Sequence, residues 1–271
     1  MTTRDLFAPK PVFLAAALFI LAACGSDLTG TNKKTVQLSF TTNASSVAAS
    51  GLRVSPDVVV GEAGDLVLTK IQVVIDRIEL NEDENTSCVG EIEDNDDDHG
   101  EVENEHDDDR EECEDVARNA VLVDIPADGA AHTVLTVPLT PGTYRKLEAK
   151  LEPARDNETT FNAANPNLAG KSVRVEGTFK GTPFVFTSAV RRSIETEFDP
   201  PLVIDATTTN ATISIDVARW FLDRNGNAID PSTATAGSEA LEQIEDNIHR
   251  SFRAFEDDDR SGRDDHSEHR G

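Results

Sequence analysis

The spacing most specific for a chemical partner lies at the end of this 271-residue chain. Asp257, Asp259, Ser261, Gly262 and Glu268 fall at positions one, three, five, six and twelve of an EF-hand-like calcium loop. Alternate oxygen-bearing residues on a tight loop converge on one centre, glycine permits the sharp turn, and a distal glutamate can supply two oxygens at once. Asp264 departs from the pattern, because an apolar residue is usual there, and no exit helix follows. A solvated acidic end is the competing reading.

A denser acidic tract lies between Cys88 and Cys113, where 14 of 24 residues are Asp or Glu and Arg110 is the single base. Asp94, Asp96, Asp98 and Glu105 match positions one, three, five and twelve of the same loop, but Gly100 comes one residue late. Starting at Asn95 restores the glycine and weakens the ligand set. His99 and His106 among these carboxylates suit zinc or copper as well. Self-repulsion and the scarcity of apolar residues equally fit a disordered, solvated insert. Asp223-Arg224-Asn225-Gly226-Asn227 with Asp230 is a weaker constellation, explained as well by an Asn-Gly turn.

Cysteine chemistry fixes location. Arg4 and Lys10 give a short positive segment, Val12 to Ala23 is apolar, and Leu21-Ala22-Ala23-Cys24-Gly25 closes the run. Twelve apolar residues are too few to span a hydrocarbon core that needs about 20, so the segment reads as a secretory signal that is removed. The closing sequence resembles the lipobox of bacterial lipoproteins. That resemblance implies a diacylated Cys24 as first residue of the mature chain, a stable membrane attachment through acyl chains such as palmitate, and, by analogy with enterobacterial sorting past Gly25, the outer membrane of the cell envelope. Cys88 and Cys113 are then the remaining pair, expected to bond in an oxidising compartment. Closing a loop of about 25 residues would contribute roughly 3.5 kcal/mol in the chain-entropy description. Two free thiols are the alternative.

Composition narrows the function classes. Removing residues 1–23 takes away two cations and one acid, which moves the formal charge from −26 to −27. Such a charge excludes nucleic acid and anionic headgroups as natural partners and suits divalent cations or a basic protein. No His-Glu-x-x-His, Gly-x-Ser-x-Gly or phosphate-loop motif occurs. The expected protein is therefore not an enzyme, with catalysis by scattered residues that form no recognisable motif as the alternative.

The elements that position these residues read as strands. Val36, Leu38 and Phe40 alternate with polar residues. From Leu66 to Leu80 the apolar positions change phase twice, as Leu66 and Leu68, then Ile71, Val73 and Ile75, then Ile78 and Leu80, and each change predicts a bulge. Ala120 to Ile125, Thr133 to Val137 and Thr143 to Leu151 follow as strands, and the strands flanking the acidic insert, Ile71 to Leu80 and Ala120 to Ile125, are expected to neighbour each other. Val123-Asp124-Ile125, then Leu139 before Pro141-Gly142-Thr143-Tyr144, resembles uncharacterised bacterial lipoproteins with a transthyretin-like or immunoglobulin-like sandwich of unknown function. That resemblance implies fold and location alone.

Residues 156–170 read as a loop or subdomain joint, and Val173 to Phe186 as a hairpin across Lys180-Gly181-Thr182. Ile213, Ile215 and Val217 lead to Trp220, a core aromatic or, less simply, a sugar-stacking platform. Ser238 is suited to cap a helix reaching Phe255, since Leu241, Ile244, Ile248, Phe252 and Phe255 fall within about 80° at 100° per residue. The expected organisation is a signal peptide at 1–23, a lipidated tether at 24–34, an antiparallel β-sandwich at 35–222 carrying the insert 88–113, a turn and C-terminal amphipathic helix at 223–256, and an acidic tail at 257–271. Function is expected to be that of a lipid-anchored binding or structural module associated with calcium. A metal-buffering or metal-sensing lipoprotein is the alternative.

Overall fold

The structure, a computed structural model, describes residues 33–42, 58–60, 65–82, 113–127 and 131–261. Cys24, Cys88, Asp94, Asp96, Asp98, Glu105, Gly262 and Glu268 lie outside the described residues. The chain builds strands β1 (Lys34–Thr42), β2 (Val58–Val60), β3 (Leu66–Asn81), β4 (Cys113–Ala117), β5 (Val121–Asp124), β6 (His132–Leu139) and β7 (Gly142–Leu151). Helix α1 (Thr159–Ala164) follows, then β8 (Val173–Phe179), β9 (Thr182–Ser188), β10 (Arg192–Ile204) and β11 (Asn210–Ile215). Helices α2 (Val217–Trp220) and α3 (Glu239–His249) precede the last strand, β12 (Phe252–Glu256). The described residues all fall within one compact unit.

The result is a mainly β sandwich. One sheet has the order β12-β11-β1-β6, and the larger one is built on β3, in the order β10-β7-β3-β8-β9 with β2, β4 and β5 also on β3. All neighbours are antiparallel except β1 and β11. Nearly the whole domain separates those two strands in sequence, so no hairpin dictates their direction and a parallel pairing is open to them.

The two phase changes along β3 are two bulges, one between Leu68 and Lys70 against β8 and one between Asp76 and Ile78 against β7. The second lies where β3 passes from β8 to β7 as its partner, and Arg77 there takes a left-handed φ of 56°. Each slip returns the apolar residues to the inner face, so Leu66, Leu68, Ile71, Val73, Ile75, Ile78 and Leu80 all reach one core. The first bulge has a steric partner in Gly177 on β8, where a Cβ would stand 2.1 Å from the carbonyl oxygen of Val67. On the far side of β3, Gln72 to Ile75 pair with β5 and Ile78 to Asn81 with β4, so the strands flanking the insert do neighbour each other.

Val36, Leu38 and Phe40 of β1 and Ile213 and Ile215 of β11 close the core from the smaller sheet. Trp220 is fully buried and donates its indole N–H to Ser251 Oγ at 2.8 Å, so it is a core aromatic. Phe221 meets Phe186 edge-on at 5.4 Å. Lys180 and Gly181 take φ of 50° and 78°, the two left-handed residues a tight hairpin of this hand requires, and β8 and β9 pair from Phe179–Thr182 to Val173–Ser188. Tyr144, reached from Pro141-Gly142, is buried and donates its hydroxyl to the carbonyl of Thr140 at 2.8 Å.

Two expectations change. The helix capped by Ser238, whose hydroxyl accepts the N–H of Leu241 at 3.2 Å, ends at His249 and not at Phe255. Ser251 stops it: the hydroxyl donates to the carbonyl of Ile248 at 2.7 Å while the carbonyl of Ser251 accepts the N–H of Asp216 at 3.0 Å. Phe252 to Glu256 then pair with β11 as a strand. Residues 156–170, read as a loop or joint, hold α1 and a 3-10 turn at Pro166–Leu168. Ala154, Leu168 and Phe161 pack on Val74, so this segment covers the outer face of the large sheet.

Candidate functional site

Strand β12, not a helix, delivers the C-terminal acidic turn. Ala211 pairs with Glu256, which sets Asp257 beside the start of β11. Asp257 is fully buried. Its Oδ2 accepts the Thr212 hydroxyl at 2.9 Å, its Oδ1 accepts the Ser261 N–H at 2.9 Å, and its carbonyl accepts Asn210 Nδ2 at 2.8 Å. Asp258 turns the other way and closes the open end of β11, its Oδ1 accepting the N–H groups of Thr209 at 2.7 Å and Asn210 at 3.0 Å. The Ser261 N–H also donates to Asp259 Oδ1 at 2.8 Å. That bond, first among several, holds the Asp259 carboxyl below the ordinary carboxylate range.

Three of the four predicted tail residues thus meet: Asp257 and Asp259 converge on one amide, and that amide belongs to Ser261. Arg260 within the turn is in a left-handed conformation at φ 58°. Chemically it offers two carboxylates and one hydroxyl, fewer than the six to eight oxygens calcium takes. Among the described residues no group of three or more His, Cys, Asp or Glu is placed to hold a metal ion. Completing a site would fall to Glu268 and to the carbonyl of Arg263, both outside the described residues.

The weaker constellation is a self-contained turn. Asp223 Oδ1 accepts the N–H groups of Asn225 and Asn227 at 2.8 Å each, and Oδ2 accepts Asn227 Nδ2 at 3.0 Å. The Asn227 side chain, followed by its backbone, holds the Asp223 carboxyl low. Asp230 likewise accepts the N–H and hydroxyl of Ser232. The Asn-Gly turn explains these residues.

A third group of carboxyls was not singled out in the sequence. The outer face of β3 and β7 carries Asp76, Glu79, Lys146 and Glu148, all buried. Glu79 and Glu148 are directly paired in register, and Lys146 Nζ reaches Glu148 at 2.5 Å. Burial, and then a hydrogen bond with Glu152, raises Asp76 to about 6 against the opposing pull of Arg155, whose Nη2 lies 3.2 Å away. Burial also raises Glu79 to about 7, with Asp115 adding to it and Arg77 opposing. The strand period places these side chains on one face. Nothing local says that residues 152–168 pack over this side of the sheet or that β4 brings Asp115 beside Glu79, and an uncovered face of this kind is normally solvated.

No family model matches this chain, and no curated protein matches it. Among solved structures it is similar to MbnP from Methylosinus trichosporium, at 11% identity over 78% of this chain and 86% of that one, with a TM-score of 0.36. A likeness of that size carries no argument about activity or ligand.

Proposed function

We propose that this protein is a lipid-anchored module of the bacterial cell envelope that binds or organises and does not catalyse, with calcium as the ion of its C-terminal turn. The observation that carries the reading is the run Val12 to Ala23 closed by Leu21-Ala22-Ala23-Cys24-Gly25. Acyl chains on Cys24 would place the folded unit near the bilayer, since a tether of about nine residues spans only ~15 to 18 Å on average. The Asp257 to Ser261 turn supports the calcium part, because two carboxylates drawn to one amide repel each other and a divalent ion relieves that repulsion. The acidic charge suits a cation or a basic protein partner. A bond between Cys88 and Cys113 belongs to the same reading, and Cys113 opens β4 opposite Asn81, so the end of the insert starts from an ordered strand.

Cys24→Ser should abolish acylation and shift the protein from the detergent phase to the aqueous phase. A mutant that still incorporates labelled palmitate would overturn the anchoring. Calcium at about 10⁻⁴ to 10⁻³ M, the range of weak extracellular modules, should raise the melting temperature of the parent. Asp257→Ala with Glu268→Ala should remove that rise. The second reading, metal buffering by residues 89–112, is favoured by His99 and His106 among fourteen acids and predicts micromolar zinc or copper binding that deletion of those residues abolishes.

A further inference from the structure

A groove of about 450 Å³ lies between the β9–β10 connection and the segment that leads into and along α3. The chain has 51 acids against 25 bases, yet Lys171, Arg191 and Arg192 all line this one groove, with Glu245 as the sole carboxylate among the lining residues. The walls are held in place. Ser172 donates its N–H to Ser188 at 2.9 Å and its hydroxyl to the Val190 carbonyl at 2.7 Å, which ties Lys171 beside the turn that carries both arginines. Ser188 in turn accepts the N–H of Val190 at 2.9 Å and donates to Glu245 Oε1 at 2.5 Å, joining the turn to α3.

The cations are not equally committed. Arg191 Nη1 is engaged by Glu152 at 3.1 Å. Arg192 spends one Nη1 bond on the Arg191 carbonyl at 2.9 Å and keeps the rest of its fork. Lys171 and Arg192 form no ion pair among the described residues. Once Glu152 and Glu245 are set against the three bases, one positive charge remains, which suits a monoanion better than a doubly charged phosphate. Val190 and Leu241, with Ala189, Ala234 and Ala236, supply the apolar part of the lining. A short organic body can lie against such a surface while its charged end meets a guanidinium and an ammonium.

We infer that this groove binds a small monocarboxylate with a short apolar body, its carboxylate held by Lys171 and Arg192 and its chain laid on Val190 and Leu241. The inference is independent of the calcium and anchoring proposals. Titrating the isotope-labelled full chain with butanoate, and separately with inorganic phosphate, tests it by amide chemical shifts. Butanoate should give saturable shifts at Val190 and Leu241. The Lys171→Gln, Arg192→Gln double variant should weaken binding by about tenfold or more, the loss of one charge-assisted bond or more. Glu245→Gln should instead tighten it, because the opposing carboxylate is gone. Lys171→Gln alone carries the test if the double variant does not fold. Absence of saturable shifts, unchanged affinity in the Lys171 variant, or phosphate binding as tightly as butanoate would each overturn the proposal.

Discussion

Asp76 and Glu79 on β3 and Asp259 in the C-terminal turn are chemically similar side chains that the fold drives in opposite directions. The first two lie under a cover, beside other carboxyls, and burial raises them to about 6 and about 7. Asp259 sits in the open, and the Ser261 N–H favours its charged form. Burial without enough donors keeps a proton on the acid, whereas one well-aimed amide in solvent removes it. The difference teaches that an acidic sequence of charge −26 is not uniformly anionic in its folded form. Two of its acids near neutrality are in effect part of the sheet.

The largest break in this comparison comes from β8, the neighbour of the strand that bears the raised pair. Gly177→Ala should destabilise by about 3 kcal/mol or more, since overpacking typically costs 1–3 kcal/mol and here a Cβ would meet backbone at 2.1 Å. Chemical denaturation measures it, and a loss below about 1 kcal/mol would mean that the first β3 bulge opens without cost. On the other side, Asp257→Ala leaves the Thr212 hydroxyl without this acceptor and the Ser261 N–H with Asp259 in place of two carboxylates. That should cost about 1–3 kcal/mol in the absence of any ion, and an unchanged midpoint would show the turn to be detached from β11.

Acidity sharpens the contrast further. Asp76 and Glu79 hold protons in the folded state that the unfolded chain releases at ordinary carboxylate values, so the folded state binds more protons between about pH 4.5 and their raised values of about 6 and 7. Stability should therefore fall as pH rises through that window, by about 1.4 kcal/mol per pH unit for each such proton. The melting temperature should be higher at pH 5 than at pH 8. Glu79→Gln should flatten the slope, and a variant as pH-sensitive as the parent would locate the effect elsewhere. For Asp259 the sign reverses: its contribution is present above the ordinary carboxylate value and is lost as pH falls through its depressed one. Asp259→Ala should be the mildest change, moving the melting temperature at pH 7 by at most about 2 °C. A larger drop would mean that the turn depends on both carboxylates.

Much of the architecture was legible in local pattern. Period two located β1, β7 and β11, the two phase changes in residues 66–80 located both β3 bulges, and Lys180-Gly181 located the hairpin, because each is a property of consecutive residues on one backbone. The start of α3 was legible in Ser238 for the same reason. Of the candidate site, the Asp257, Asp259, Ser261 spacing was readable, but its context was not. Phe252 and Phe255 fit the end of a helical stripe and also the two faces of a strand.

The side chains around Phe252 do not choose between those states; a hydrogen-bonding partner does. Sequence by itself determined the mainly β class, the β3 bulges, the hairpin turn and the helix start, since these follow from backbone preferences and from which residues share a face, but not the strands at Val58–Val60, Cys113–Ala117, Arg192–Ile204 and Phe252–Glu256. Only the tertiary structure decided that β11 takes Phe252 to Glu256 as a neighbour, that β1 and β11 run parallel, and that residues 152–168 cover Asp76 and raise its affinity for a proton. Pairing and desolvation depend on segments far apart in the chain, and no local period records which distant segment will arrive.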